Sequence, residues 1–429
     1  MKFFRFFQIC FCVAILFLQG CNYFSGVFPS ANQKSSENNQ LLLLLGLASN
    51  TNTFNWNLPP GFPTPAVPSD NPMTREKVAL GRFLFYDTKL SGNGRASCSS
   101  CHLQNLAFTD GKANAVGSTG QVHPRNSMSL VNVVYNSVQT WNNPLMKNLE
   151  TQALVPLTGS NPIELGLNVT DSQLRDILYS DSRYQRLFAD AFPGDPNPVG
   201  INNVIKAISS FQRTLISGNS AFDQAIYRGN SSAMSASARR GMNFFNGEVA
   251  ECFHCHGGFN FSDVVQHAGT TQVPSVFHNN AIYNVNGAGP SSDNMGVFEV
   301  TGKQSDVGLF KAPSLRNIAL TFPYMHDGSI MCENSNNPAF NPSKTSVDCA
   351  RDALGKVIDN YARGGFNSSC PKTNPSFPCL TNTPFRTVDT TLIRPTTIQP
   401  SDKADLIEFF LSLTDNEFVN NPTISNPFR

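Results

Sequence analysis

Cys98-Ser99-Ser100-Cys101-His102 and Cys252-Phe253-His254-Cys255-His256 carry one pattern, C-x-x-C-H, twice in 429 residues. In that pattern the two thiols add to the vinyl groups of a haem, and the adjoining imidazole is held under the iron as its proximal ligand. Cys98, Cys101 and His102 therefore read as the attachment site of one haem c, and Cys252, Cys255 and His256 as that of a second. Paired C-x-x-C strings also bind zinc, but a zinc ribbon keeps its pairs close together. Here 252 − 98 = 154 residues separate them. Neither zinc nor a redox dithiol needs the histidine that directly follows each pair. His254, inside the second motif, reads as a spacer.

The start of the chain reads as an export signal, which suits covalent haem. Lys2 and Arg5 precede an apolar run from Phe6 to Leu18 that is too short to span a membrane. It ends in Leu18-Gln19-Gly20-Cys21, similar to the lipobox of bacterial lipoproteins. Residues 1–21 are thus expected to be a lipoprotein signal peptide with Cys21 lipidated; an ordinary signal peptide with an incidental cysteine is the alternative. The expected location is the periplasm or cell envelope, with membrane contact through the lipid. Of eleven cysteines, two leave with the signal, one takes lipid and four hold haem. Cys332, Cys349, Cys370 and Cys379 remain, an even number that reads as disulfides, with proximity favouring Cys332–Cys349 and Cys370–Cys379. With 31 basic and 30 acidic residues the chain has no basic excess to bind nucleic acid or a polyanion.

The remainder divides by composition. Residues 22–72 are rich in Asn, Ser, Thr and Pro and read as a flexible tether. A first unit over 73–234 opens with helical apolar spacing at Lys77 to Tyr86 and leads into the first haem motif. A second over 235–415 opens with a helical stretch at Ser235 to Phe245 and leads into the second motif, and 416–429 reads as a tail. Further helices are predicted at Ser172 to Leu187, at Asn202 to Ile216, and from an N-cap at Ser401 through Leu413. The predicted fold is mainly α, two c-type cytochrome domains whose long loops enclose one haem each.

Several other strings resemble the bacterial dihaem cytochrome c peroxidases and MauG. They are Leu84-Phe85-Tyr86-Asp87, Arg125-Asn126-Ser127 with Leu130-Val131-Asn132, and Glu150-Thr151-Gln152-Ala153 with Glu164; then Pro313-Ser314-Leu315-Arg316-Asn317 and Thr321-Phe322-Pro323-Tyr324-Met325-His326-Asp327-Gly328. His123-Pro124-Arg125-Asn126-Ser127-Met128-Ser129-Leu130 and Trp141-Asn142-Asn143-Pro144 look closest to the methanobactin-associated branch, whose members oxidise a tryptophan of a partner protein.

The resemblance implies a division of labour. The His102 haem would be the peroxidatic one, with Gln152 and Glu164 on its open face for proton transfer; a Glu164 that merely faces water is the plain alternative. Where the peroxidases place a blocking histidine this chain has Ser118, in Val116-Gly117-Ser118, with His123 five residues on as a substitute or a surface residue. At the His256 haem MauG has a tyrosine as the other axial ligand and the peroxidases a methionine. The matching string points to Tyr361, with Met325, Met331 or His326 as alternatives across an insertion. Trp141 matches the ring between the haems that relays charge, or is a packed aromatic. Asn126, Thr321 and Pro323 match the ligands of a calcium ion between the haems. The expected function is hydrogen-peroxide-dependent oxidation of a periplasmic protein partner at a tryptophan. The alternatives are peroxide reduction with electrons from a small donor cytochrome, and a non-catalytic dihaem carrier or sensor.

Overall fold

Each haem motif follows a helix whose glycine allows a close crossing. In the computed structural model, which describes residues 54–283, 290–332, 347–365, 387–388 and 390–429, the helices run in chain order as follows. They are α1 (Arg75–Tyr86), α2 (Leu149–Thr158), α3 (Asp171–Tyr179), α4 (Arg183–Ala191), α5 (Ile201–Arg213), α6 (Ala221–Tyr227), α7 (Ala236–Phe245), α8 (Phe298–Thr301), α9 (Val347–Ala362), α10 (Pro400–Leu411) and α11 (Asn416–Val419). Thr74 caps α1 by accepting from the Lys77 N–H, and Leu80, Leu84 and Phe85 turn its apolar stripe inward. A Cβ on Gly81 would run into the Ala207 carbonyl of α5, so these two helices cross at backbone contact. Ser235 caps α7 in the same way, and a Cβ on Gly241 would meet the Asp405 carbonyl of α10. Among the described residues there is no β-sheet, only isolated bridges, so the fold is mainly helical, with long irregular segments carrying the haem motifs.

Beside a small apolar core of Phe62, Val134 and Tyr135, two large ones result. One gathers Leu80, Leu84 and Phe85 with Leu174, Leu178, Tyr184, Phe188 and Phe211. The other gathers Phe245, Phe261, Leu354, Ile358, Leu406 and Phe409, and includes Cys332 and Cys349, which form a disulfide. Cys370 and Cys379 lie outside the described residues.

Several boundaries differ from the sequence reading. Residues 54–72 are not tether: Phe62 packs edge-on to Tyr135 and Phe259, the Tyr135 hydroxyl donates to the Pro63 carbonyl, and buried Asn71 donates to Glu150 at 2.6 Å. Residues 416–429 are not a free tail, because Phe418, Val419 and Ile424 complete the first core while Arg82 and Tyr86 donate to carbonyls of 422–425. The single helix expected over 172–187 is two, since Asp181 accepts from the Arg183 N–H and guanidinium and restarts the turn. The last helix begins at Pro400, whose fixed φ suits a first helical position. Gln399, rather than Ser401, caps it.

The two halves meet on a polar knot. Asn132 and Asn317 both sit in the left-handed region, φ 56° and 58°, where a short amide side chain is better tolerated than most. Both are fully buried. Asn132 donates to the Ser217 carbonyl and accepts the Ser217 N–H; Asn317 donates to the Ser217 hydroxyl and accepts the Asp415 N–H. Asp415 in turn accepts from the Ser217 hydroxyl and from three backbone N–H groups. Behind the knot Arg316 donates to both oxygens of Asp223 at 2.8 Å, each side chain 0–1% exposed.

Candidate functional site

Each C-x-x-C-H motif is wound into a 3₁₀ turn, Cys98–Ser100 and Cys252–His254, which brings its two thiols and its histidine to one wall. The Nδ1 of His102 lies 2.8 Å from the Phe108 carbonyl, and that of His256 lies 3.2 Å from the Phe261 carbonyl. Donation from Nδ1 fixes the tautomer and leaves the Nε2 lone pair free for iron. Burial lowers the pKa of both rings, favouring the neutral form a metal needs. To present those carbonyls Phe108 and Phe261 adopt φ 60° and 50°, an uncommon conformation for a bulky aromatic. Their role was not read from the sequence, yet a signal exists: Phe108-Thr109-Asp110 and Phe261-Ser262-Asp263 repeat after the two motifs. His254 is exposed and stacks on Phe253.

Two cavities open on these walls, of about 510 Å³ and 250 Å³. Cys98, Cys101 and His102 line the larger, and Cys252, Cys255 and His256 the smaller. Two free thiols and an imidazole with an available Nε2 on each wall are the donor set a haem c requires, so the residues fit the cofactor.

Gln152, Glu164, Ser118 and His123 all line the first cavity. Gln152 stands on α2, where Pro156 four residues later has no N–H for the Gln152 carbonyl. Glu164 lies on the strand-like return that pairs Leu165 and Leu167 with α2 carbonyls, and burial raises its pKa. Ser118 is tied down: its N–H donates to the Glu164 carbonyl at 2.6 Å and its hydroxyl to the Leu165 carbonyl at 3.1 Å. His123 belongs to the site rather than the surface. Its Nδ1 accepts the Arg125 N–H, which puts the ring proton of the neutral form on Nε2, 3.8 Å from Glu164 Oε1. Burial, then the nearby Arg125 charge, lower its pKa.

In the second cavity Tyr361, on α9, and Met325 share one wall. The Asn280 amide donates to the Tyr361 hydroxyl at 3.3 Å and lies 3.6 Å from the Met325 sulfur. Burial pushes the Tyr361 phenol up to about 12, against the opposing donation from Asn280. Met331 is 38% exposed and lies outside the cavity lining. His326 stacks on Phe310 at 3.6 Å and sets its Nε2 2.7 Å from the Asn294 side-chain oxygen.

Trp141 lines both cavities, its indole N–H donating to the Asn126 carbonyl at 2.9 Å. Asn126, Thr321 and Pro323 line the second cavity together. The Asn126 amide nitrogen is directed to the Lys112 and Ala113 carbonyls, so its Oδ1 is the atom left to offer. Among the described residues no helix is long and apolar enough to cross a membrane.

Residues 75–232 match the protein-family model described as di-haem cytochrome c peroxidase. The cytochrome-c peroxidase IdrP1 of Pseudomonas sp. (strain SCT) is 30% identical over 418 residues, 93% of this chain and 98% of that protein. The methylamine utilization protein MauG of Methylorubrum extorquens is 32% identical over 298 residues, 70% and 72% of the two chains. Among solved structures, that of a MauG-like protein associated with microbial copper homeostasis superposes with a TM-score of 0.74 at 40% identity, over 88% of this chain and all of the other. Likeness of this extent, on a fold whose two cavities already carry the donors for covalent haem, makes the chain a member of the di-haem cytochrome c peroxidase and MauG family, a peroxidase with two haems c.

Proposed function

We propose that this peroxidase is of MauG type: exported to the periplasm, held by a lipid on Cys21, and using hydrogen peroxide to oxidise a tryptophan of a partner protein. The observation that carries the reading is that Tyr361 lines the same cavity as the attachment motif of the second haem. An oxygen donor there favours oxidised iron, whereas methionine raises the potential and suits electron uptake from a cytochrome. When bound, the haems supply iron that exchanges electrons, the first with peroxide and both with the partner.

The chain's own groups do the rest. Glu164, whose carboxyl pKa is raised by burial, takes a proton from one peroxide oxygen and returns it to the other, with Gln152 orienting the oxidant. Ser118, bonded to the 164–165 backbone and bearing no imidazole, leaves that face open at rest. Trp141, against both cavities, passes electrons between them. Asn126 Oδ1 and the Thr321 and Pro323 carbonyls, all hard oxygen donors, hold a calcium ion beside it.

Met325 supports a second reading, because its sulfur approaches the same Asn280 amide as the Tyr361 hydroxyl. Methionine ligation would fit peroxide reduction driven by a donor cytochrome. Electron paramagnetic resonance of the resting ferric holoprotein, then turnover with peroxide and a reduced small c-type cytochrome, separates the two. The proposal expects one high-spin and one low-spin iron, with Tyr361→Met gaining cytochrome oxidation. Two low-spin irons at rest, or unchanged turnover in Tyr361→Met, would overturn it.

A further inference from the structure

Lys311 is 4% exposed in the wall of the second haem cavity. Its backbone N–H donates to the Trp141 carbonyl at 2.8 Å, and neighbouring Phe310 exchanges two backbone hydrogen bonds with His278, so the residue is held firmly beside the relay ring. The ammonium donates to the Val138 carbonyl at 3.1 Å. An ammonium has three protons to give, and no further acceptor stands against this one among the described residues. Desolvation is the sole influence on its pKa, which falls to about 8.

Among the described residues three buried arginines face carboxylates, and buried Lys77 gives its ammonium two acceptors, the Asn71 side-chain oxygen and the Pro72 carbonyl. Arg316 faces Asp223 at 2.8 Å, Arg213 faces Glu150 at 2.7 Å, and Arg125 faces Glu299 at 2.5 Å. Burying a cation without a counter-charge is costly, so a structure normally supplies one. The other charged or titratable groups on this cavity wall have partners: His278 with Asp263 at 2.5 Å, His326 with Asn294 at 2.7 Å, and Arg394 with Glu251 at 3.0 Å. Lys311 lines the space that a haem fills, and a haem carries two propionate carboxylates.

We propose that Lys311 Nζ forms an ion pair with a propionate of the haem on His256, and that the pair raises the reduction potential of that haem. A cation at the haem edge disfavours the extra positive charge of ferric iron, so its removal lowers the potential. The inference rests on the second haem and not on which partner is oxidised.

Spectroelectrochemical titration of the covalently loaded holoprotein tests it, with resonance Raman spectra of the propionate bending modes. Lys311→Gln keeps a donor for the Val138 carbonyl but loses the charge; Lys311→Arg keeps the charge. The proposal expects Lys311→Gln to raise the ferric-to-ferrous ratio of the His256 haem about tenfold at fixed potential, ~59 mV for a one-electron couple. Lys311→Arg should stay near the parent, and transfer of the parent protein into D₂O should shift a propionate mode, a readout that needs no variant. An unmoved potential with unmoved propionate modes in Lys311→Gln, or equal falls in both variants, would overturn it. A haemochrome assay returning one haem per chain would overturn the second haem itself, and the pair with it.

Discussion

Replacing Glu164 by glutamine removes a proton acceptor from the first cavity while keeping the side chain's size. A positioned general acid–base group is worth about 10² to 10⁴-fold. The geometry selects the lower part of that range. The Glu164 side chain is 31% exposed, so water reaches it. His123 Nε2 is 3.8 Å away, beyond direct hydrogen bonding but within reach of a bridging water. Both can relay protons when the carboxylate is gone. The expected loss in the second-order rate constant for peroxide is about 10² to 10³-fold, roughly 3 to 4 kcal/mol in the barrier. The sign of the pH dependence follows from burial, which raises the Glu164 pKa. The carboxylate is the competent form, so the parent rate climbs as pH rises through that raised pKa and levels above it. Glu164→Gln should lose this limb. Stopped-flow measurement of the Soret change against peroxide concentration, repeated across pH, reads both effects. A variant within about threefold of the parent, or one that keeps the same acidic limb, would refute the assignment of the proton to Glu164.

Two stability predictions accompany it. Arg316→Met strands the Asp223 carboxylate in a site where both side chains are 0–1% exposed, and should cost about 3 to 5 kcal/mol in urea denaturation of the holoprotein. Arg316 also donates from Nε to the Phe259 carbonyl at 2.8 Å, and a loss below about 1 kcal/mol would show that the pair is not what anchors that backbone to α6. Gly241→Ala drives a methyl into the Asp405 carbonyl and must part α7 from α10, costing about 1 to 3 kcal/mol or more. An unchanged denaturation midpoint would contradict that close crossing.

The haem attachment sites were legible because covalent chemistry demands its residues side by side. The open-face and relay residues have no such spacing. Gln152 and Glu164 are twelve positions apart, and what joins them is the return of 163–167 along α2. Their roles came from likeness to relatives, and the structure brings them to one cavity. The place of His123 in the site is not legible in the sequence because its partner, Glu164, lies 41 positions away. The packed 54–72 segment escaped for a similar reason: Phe62 and Asn71 are isolated in a proline- and asparagine-rich stretch, with no periodicity to announce burial. The helix expected over 172–187 is interrupted, since Asp181 competes for the backbone through its side chain.

The final residues of the chain close over the first haem motif. The Phe418 ring lies 5.7 Å from that of Phe108, whose carbonyl orients His102, and Gln104 donates to the Phe418 and Asn421 carbonyls. A polypeptide emerges from the ribosome and the export channel amino end first. Residues 418–421, which pack on the Cys98–His102 side, therefore follow both motifs. Until they are made, Phe108 lacks the ring that packs against it, so the seat of the His102 imidazole is completed only once both motifs exist.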